Sequence, residues 1–184
     1  MTERYITPSK ITAWLDCAHF LSLKHQVEDG VLKVETGGPG SFAQLLMDKG
    51  AQHEAACLAE LEAEGRTVLR IEDRDKREKF SDWVTRIGNP FDTDVDVIFQ
   101  MPLIHNGIRG IADFLVRVKD ADGGTTWEPV DAKLARQEAK PGHVLQPSFY
   151  AHAIEASTCR RPEQIPHKLE PGSRENLRVS DVAA

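Results

Sequence analysis

A chain of 184 residues with a formal net charge of −6, 40% hydrophobic and 28% charged, has the balance of one folded domain with a real core. The negative charge argues against a nucleic-acid binder that works by charge alone, but not against an enzyme that holds a cation among carboxylates. No apolar run approaches the ~20 residues of a membrane span. No signal-like segment follows Met1, and Cys17, Cys57 and Cys159 form no paired motif. A disulfide framework or zinc ribbon is therefore not expected, and a reducing cytoplasm is.

Thr7-Pro8 reads as a helix cap followed by a first-turn proline. Ile11, Trp14, Leu15, Ala18 and Leu21 recur at helical spacing and predict a helix over 7–24. The glycines at 30, 37, 38 and 40, with Pro39, predict a loop over 28–40. A second helix is expected over 41–64, stopped by Gly65, with Leu46, His53, Cys57 and Leu61 on its apolar stripe. A strand over 67–71 follows, then a third helix over 73–87 from the spacing of Phe80, Trp83, Val84 and Ile87.

The hydrophobic period then changes from helical to alternating. A strand is expected over 95–101, and Asn106-Gly107 accepts the positive φ angles of a tight hairpin turn. The returning strand covers 108–118, a second turn 120–124 and a third strand 126–134, giving an antiparallel meander. A helix over 147–157 and a strand over 165–169 complete the pattern. The last five residues, 180–184, read as the start of another helix. The whole chain, 1–184, is read as one domain, which leaves open that it is a fragment of something longer.

Alternation along a strand puts Arg109, Ile111, Asp113, Leu115 and Arg117 on one face, and Trp127, Pro129, Asp131 and Lys133 on one face of the next strand. If the second turn is centred on Asp122, then Asp113 and Asp131 are equidistant from it and directly opposed. Opposed residues have Cβ atoms roughly 4.5–5.5 Å apart, and like charges there destabilise the sheet. Two such carboxylates need a cation or a shared proton. Solvated surface acids offset by Lys133 are the competing reading. Ile111 and Leu115 on either side of Asp113 weigh against it, because an acid on a covered apolar face needs a partner. His53, on an apolar helix stripe, is either a hydrogen-bonded core residue or a metal ligand beside these acids.

Gly50-Ala-Gln-His53-Glu54 in a helix, Gly110-Ile-Ala-Asp113 on a strand, Val130-Asp131-Ala132-Lys133 on the next and Gln146-Pro-Ser-Phe-Tyr150 in the following helix form an ordered set. Together they resemble a RecB-like nuclease of the PD-(D/E)XK superfamily, in the subgroup related to CRISPR-associated RecB-like exonucleases. Ile6-Thr7-Pro8-Ser9-Lys10-Ile11 with Cys17 resembles the opening of that subgroup. The likeness implies an α/β, restriction-endonuclease-like fold: a central mixed sheet with an antiparallel meander, flanked by helices. It implies that His53, Asp113, Asp131 and the backbone carbonyl of Ala132 bind Mg²⁺ or Mn²⁺, with Asp113, Asp131 and Lys133 as catalytic residues. It also implies that Gln146 and Tyr150 contact substrate or organise the site. Hard oxygen donors suit those cations.

Some relatives hold an iron–sulfur cluster on four cysteines; three cannot complete such a site, so no cluster is expected, and Cys17 is read as a core residue. Pro147 inside a helix is unfavourable, which sets the helix start or a kink near Gln146. Tyr150 has a plain alternative as a core aromatic. Glu54 is either a support to the site or a surface glutamate; Glu128 faces away from Asp131. Arg136, Lys140, Arg160 and Arg161 are read as solvated charges or phosphate contacts. The expected function is metal-dependent hydrolysis of DNA, as an exonuclease, with single- or double-stranded DNA as partner and no membrane. The alternative is a nucleic-acid-binding or scaffolding module that keeps the fold with weak or no catalysis.

Overall fold

The computed structural model describes residues 4–34, 37–38, 40–120, 122–132, 141–162, 164–170 and 173–178, with 141–144, 147, 164–170 and 173–178 described by backbone alone. Its helices are α1 (Pro8–Asp16), α2 (Phe20–Glu28), α3 (Ser41–Ala63), α4 (Phe80–Ile87) and α5 (Pro141–Thr158). Its strands are β1 (Val68–Arg70), β2 (Val97–His105), β3 (Ile108–Lys119), β4 (Thr125–Ala132), β5 (Gln164–Glu170) and β6 (Ser173–Arg178). The class is α/β with a mixed sheet flanked by helices. β1 runs parallel to β2, while β2 with β3 and β3 with β4 are antiparallel. β5 and β6 extend the sheet beyond β4 in sequence order, β5 parallel to β4 and β6 antiparallel to β5.

Both faces of the sheet are covered, so its central strands carry consecutive apolar residues rather than a clean alternation. One face packs Ile98, Met101, Leu115 and Trp127 against Phe149, Tyr150, Ala153 and Ile154 of α5. The other packs Val97, Phe114 and Val116 against Cys57, Leu58 and Leu61 of α3. Those three are the buried residues of α3, and all lie in its second half. At about 1.5 Å per residue a helix of 23 residues extends roughly 35 Å, and its first half outruns the sheet. Leu46, expected on the packed stripe, is consequently exposed.

The turns obey local chemistry. Asn106 and Gly107 both have positive φ, 47° and 75°, as the sharp β2–β3 hairpin requires. The helix expected over 7–24 is two helices broken at Cys17, whose backbone is extended. The ion pairs Lys10–Glu28, at 3.2 Å, and Arg4–Asp29 tie the start of the first helix to the end of the second. Cys17 is therefore exposed at a helix end rather than buried in the core. The helix expected over 73–87 begins only at Phe80, because the charged residues before it wrap Arg86. Its guanidinium pairs with Glu78 at 2.8 Å and Glu72 at 3.0 Å and bonds the Asp73 carbonyl. α5 starts at Pro141 and runs through Pro147, six residues earlier than expected, and β6 carries no alternating signal that would have announced it.

Ile154 is fully buried between α5 and the sheet. Ile154→Ala should lower unfolding free energy by about 2–5 kcal/mol with an unchanged denaturant m-value, read by urea denaturation. A loss under 1 kcal/mol would contradict this packing.

Candidate active site

The β3–β4 register places the acids. Phe114 pairs with Val130, Leu115 with Pro129, and so on to Lys119 with Thr125, a ladder symmetric about residue 122. Continued by one step, it sets Asp113 against Asp131. The two carboxyls act on each other's charge, and the Ala132 amide donates to Asp113 Oδ2 at 3.1 Å. Two carboxyls brought together in this way favour a proton or a cation between them.

The partner strand is distorted at the same level. β2 and β3 pair through Phe99–Phe114 and resume at Met101–Ala112, leaving Gln100 opposite Asp113 outside the ladder. Gln100 has a φ of 61°, unusual for a residue other than glycine. The alternation changes phase here on both strands. Ile98 and Met101, three residues apart, pack in the same core, as do Ala112 and Leu115. The expected face of Ile111, Asp113 and Leu115 is thus interrupted at Asp113, which becomes reachable from both sides of the sheet.

From the α3 side comes Glu54, half-buried, accepting a hydrogen bond from the Gln100 side-chain amide. From the α5 side come Tyr150 and Gln146. The Tyr150 hydroxyl donates to the Ile111 carbonyl, and Gln146 Nε2 donates to that hydroxyl at 3.3 Å. Gly110 makes the approach of α5 feasible: a Cβ there would lie 3.0 Å from Phe149 Cε1, Tyr150 Cε1 and the Tyr150 hydroxyl. Ala112, Asp113, Pro129, Asp131, Gln146 and Tyr150 enclose a cavity of about 10 Å³, room for about one water-sized guest.

Burial, then the charge and hydrogen bond of Asp131, then the charge of Glu54 push Asp113 up to about 8; the Ala132 amide opposes this. Burial, with the charge of Asp131, also raises Glu54 against the Gln100 hydrogen bond. Burial raises the Tyr150 phenol, reinforced by the negative field of both aspartates. Three acids in one field favour a proton or a cation among them.

The structure therefore brings together Asp113, Asp131, Gln146 and Tyr150 and adds Glu54 and Gln100. The contact that Ala132 makes is through its amide. His53 is half-buried one residue before Glu54, with Nε2 3.8 Å from Cys57 Sγ, and it is Glu54 that reaches the aspartates electrostatically. Among the described residues no three His, Cys, Asp or Glu side chains meet as a ready metal-ligand set. Lys133, Arg136 and Lys140 lie outside the described residues. Arg160 is paired with Asp120, and Arg161 lies 3.9 Å from Glu155. Glu54 carries a sequence signal, an acid on the inward side of the helix that holds His53; Gln100 carries none, since its role comes from backbone distortion. In comparisons with known proteins, no family model matches the chain and no curated protein shows significant similarity to it.

The folded state holds a proton on Asp113 up to about pH 8, whereas an unfolded aspartate loses it near 4. The folded state thus binds more protons between those values, and stability falls as pH rises through that window, by up to about 1.4 kcal/mol per pH unit. In chelator, the melting temperature should fall steadily from pH 5 to pH 8, and Asp113→Asn should flatten the slope. An equal slope in the variant would remove Asp113 as its source.

Proposed function

We propose that the chain is a metal-dependent nuclease with a restriction-endonuclease-like fold, hydrolysing phosphodiester bonds of DNA. The observation that carries the reading is the pair of acids Asp113 and Asp131, brought together at a small cavity on two neighbouring, helix-covered strands. Their hard oxygen donors fit Mg²⁺ or Mn²⁺, and a bound divalent cation would take the place of the proton on Asp113. Glu54, already coupled to both aspartates, is the third acid of the set, and His53 beside it is the other candidate. The antiparallel pairing of β2 with β3 and of β3 with β4, which carries the aspartates, and the helix after β4 support the proposed fold.

Bound at this pair, the cation would supply an acidified water and charge neutralisation at the phosphate. The chain's own groups do the rest. Asp113 and Asp131 anchor the site on rigid strands, and Tyr150, fixed by the Ile111 carbonyl, holds the Gln146 amide at the cavity mouth. Lys133, two residues after Asp131, orients the attacking water and stabilises charge on the pentacoordinate phosphorus. The attacking water gives up a proton as its oxygen forms the new P–O bond, the opposite ester bond breaks, and the leaving oxygen takes up a proton, so one water is consumed. Exonucleolytic action on a single or double strand is the form of activity proposed.

Labelled single- and double-stranded DNA incubated with Mn²⁺ or Mg²⁺ should be cut, and not in chelator. Lys133→Ala should reduce the rate by about 10²–10³-fold, and Asp113→Asn should reduce it to background. Cleavage that persists in both variants would refute the assigned residues. Absence of cleavage by the parent, with DNA binding retained, would favour the binding or scaffolding module.

A further inference from the structure

A second, larger cavity of about 340 Å³ adjoins the acidic one and shares two walls with it, Gln146 and Tyr150. Its far side is cationic and hydroxylic: Arg74 and Arg109, with Thr7 and Ser9 at the start of α1. The Arg109 guanidinium lies over the ring of buried Phe80, 4.8 Å from its centroid, and makes no ion pair among the described residues. This contact holds the guanidinium charge over the ring face, and a guanidinium so held keeps N–H donors for a ligand. Arg74 donates to the Glu78 carbonyl at 2.7 Å, while the Glu78 carboxylate is held by Arg86. Both guanidinium charges therefore sit on one cavity wall of a protein whose net charge is −6.

We propose that this cavity binds a backbone phosphate of a single nucleic-acid strand, next to the phosphate presented to Asp113 and Asp131. The inference rests on the reading that the chain acts on a nucleic-acid strand, but not on catalysis. Planar guanidinium donors match the bidentate geometry of phosphate oxygens, and the Thr7 and Ser9 hydroxyls, hydrogen-bonded to each other at 2.9 Å, leave one O–H as a neutral donor. The shared Gln146–Tyr150 wall sets the order along the strand: one phosphate on the arginines, the next toward the acids. The acidic end repels a strand unless a cation occupies it, so the arginines supply the metal-independent part of the affinity.

The test is binding without cleavage: a fluorescein-labelled ten-nucleotide single-stranded DNA in chelator, followed by anisotropy across a salt series. Arg109→Gln and Arg74→Gln should each weaken binding at least about threefold and lower the slope of log K against log salt, together by about 0.7, the value of the one phosphate contact they share on a single strand. Lys119→Gln, which removes a charge at the far end of β3, should leave the slope unchanged. Arg109→Lys keeps the charge, and its melting temperature and binding separate loss of folding from loss of contact: a folded Arg109→Lys should retain the slope. Inorganic phosphate should compete only at far higher concentration than the oligonucleotide. Equal slopes for the parent and both glutamine variants, or an equal effect from Lys119→Gln, would overturn the proposal. Preferential capture of free phosphate would do the same. Failure of the nuclease assay with these slopes intact would refute catalysis and leave this cavity's assignment standing.

Discussion

Two carboxylates on neighbouring strands, inside a sheet covered on both faces, cannot both be ionised without compensation. Burial and the neighbouring Asp131 hold a proton on Asp113 up to about pH 8, and the charge of Glu54 adds to the same field. Much of the local structure serves this point. The Ala132 amide donates to Asp113, Gln100 leaves the strand ladder and holds Glu54, and Gly110 leaves room for Tyr150 to lock onto the Ile111 carbonyl. Buried like charges are costly, and the proposed cation would offset that cost.

The position of the site follows from the two cores. α3 covers one face of the sheet and α5 the other. A regular strand would show Asp113 to only one of them. The phase change at Gln100 and Asp113 exposes the acid to both helices, so Glu54 arrives from one side and Gln146 with Tyr150 from the other. This gives the site an acidic end and a polar end, with the arginine-lined cavity beyond the latter.

The parts of this arrangement legible in the sequence are those set by local rules. Asn106-Gly107 fixed the first hairpin, and symmetry about Asp122 placed Asp113 against Asp131, because turn chemistry and a period of two decide register. Gly65 ended the long helix, with a φ of 79°. What was not legible depends on contacts between distant segments. The break at Cys17 follows from ion pairs made by Lys10 and Arg4 with Glu28 and Asp29, and the unwinding before Phe80 follows from Arg86 gathering Glu72 and Glu78. His53 and Glu54 are adjacent on one helix, and spacing alone does not say which of them faces the aspartates; Glu54 is the one whose charge reaches Asp113. The left-handed Gln100 is a strained residue whose only warrant is its surroundings.

The central claim is that Asp113 and Asp131 form a divalent-cation site. Calorimetric titration of Mn²⁺ into the chelator-stripped protein near pH 7, beside Asp113→Asn, tests it most directly. Saturable binding is expected in the parent, accompanied by proton release as the cation displaces the proton on Asp113, with loss of both in the variant. Equal affinity and equal proton release in parent and variant would contradict it.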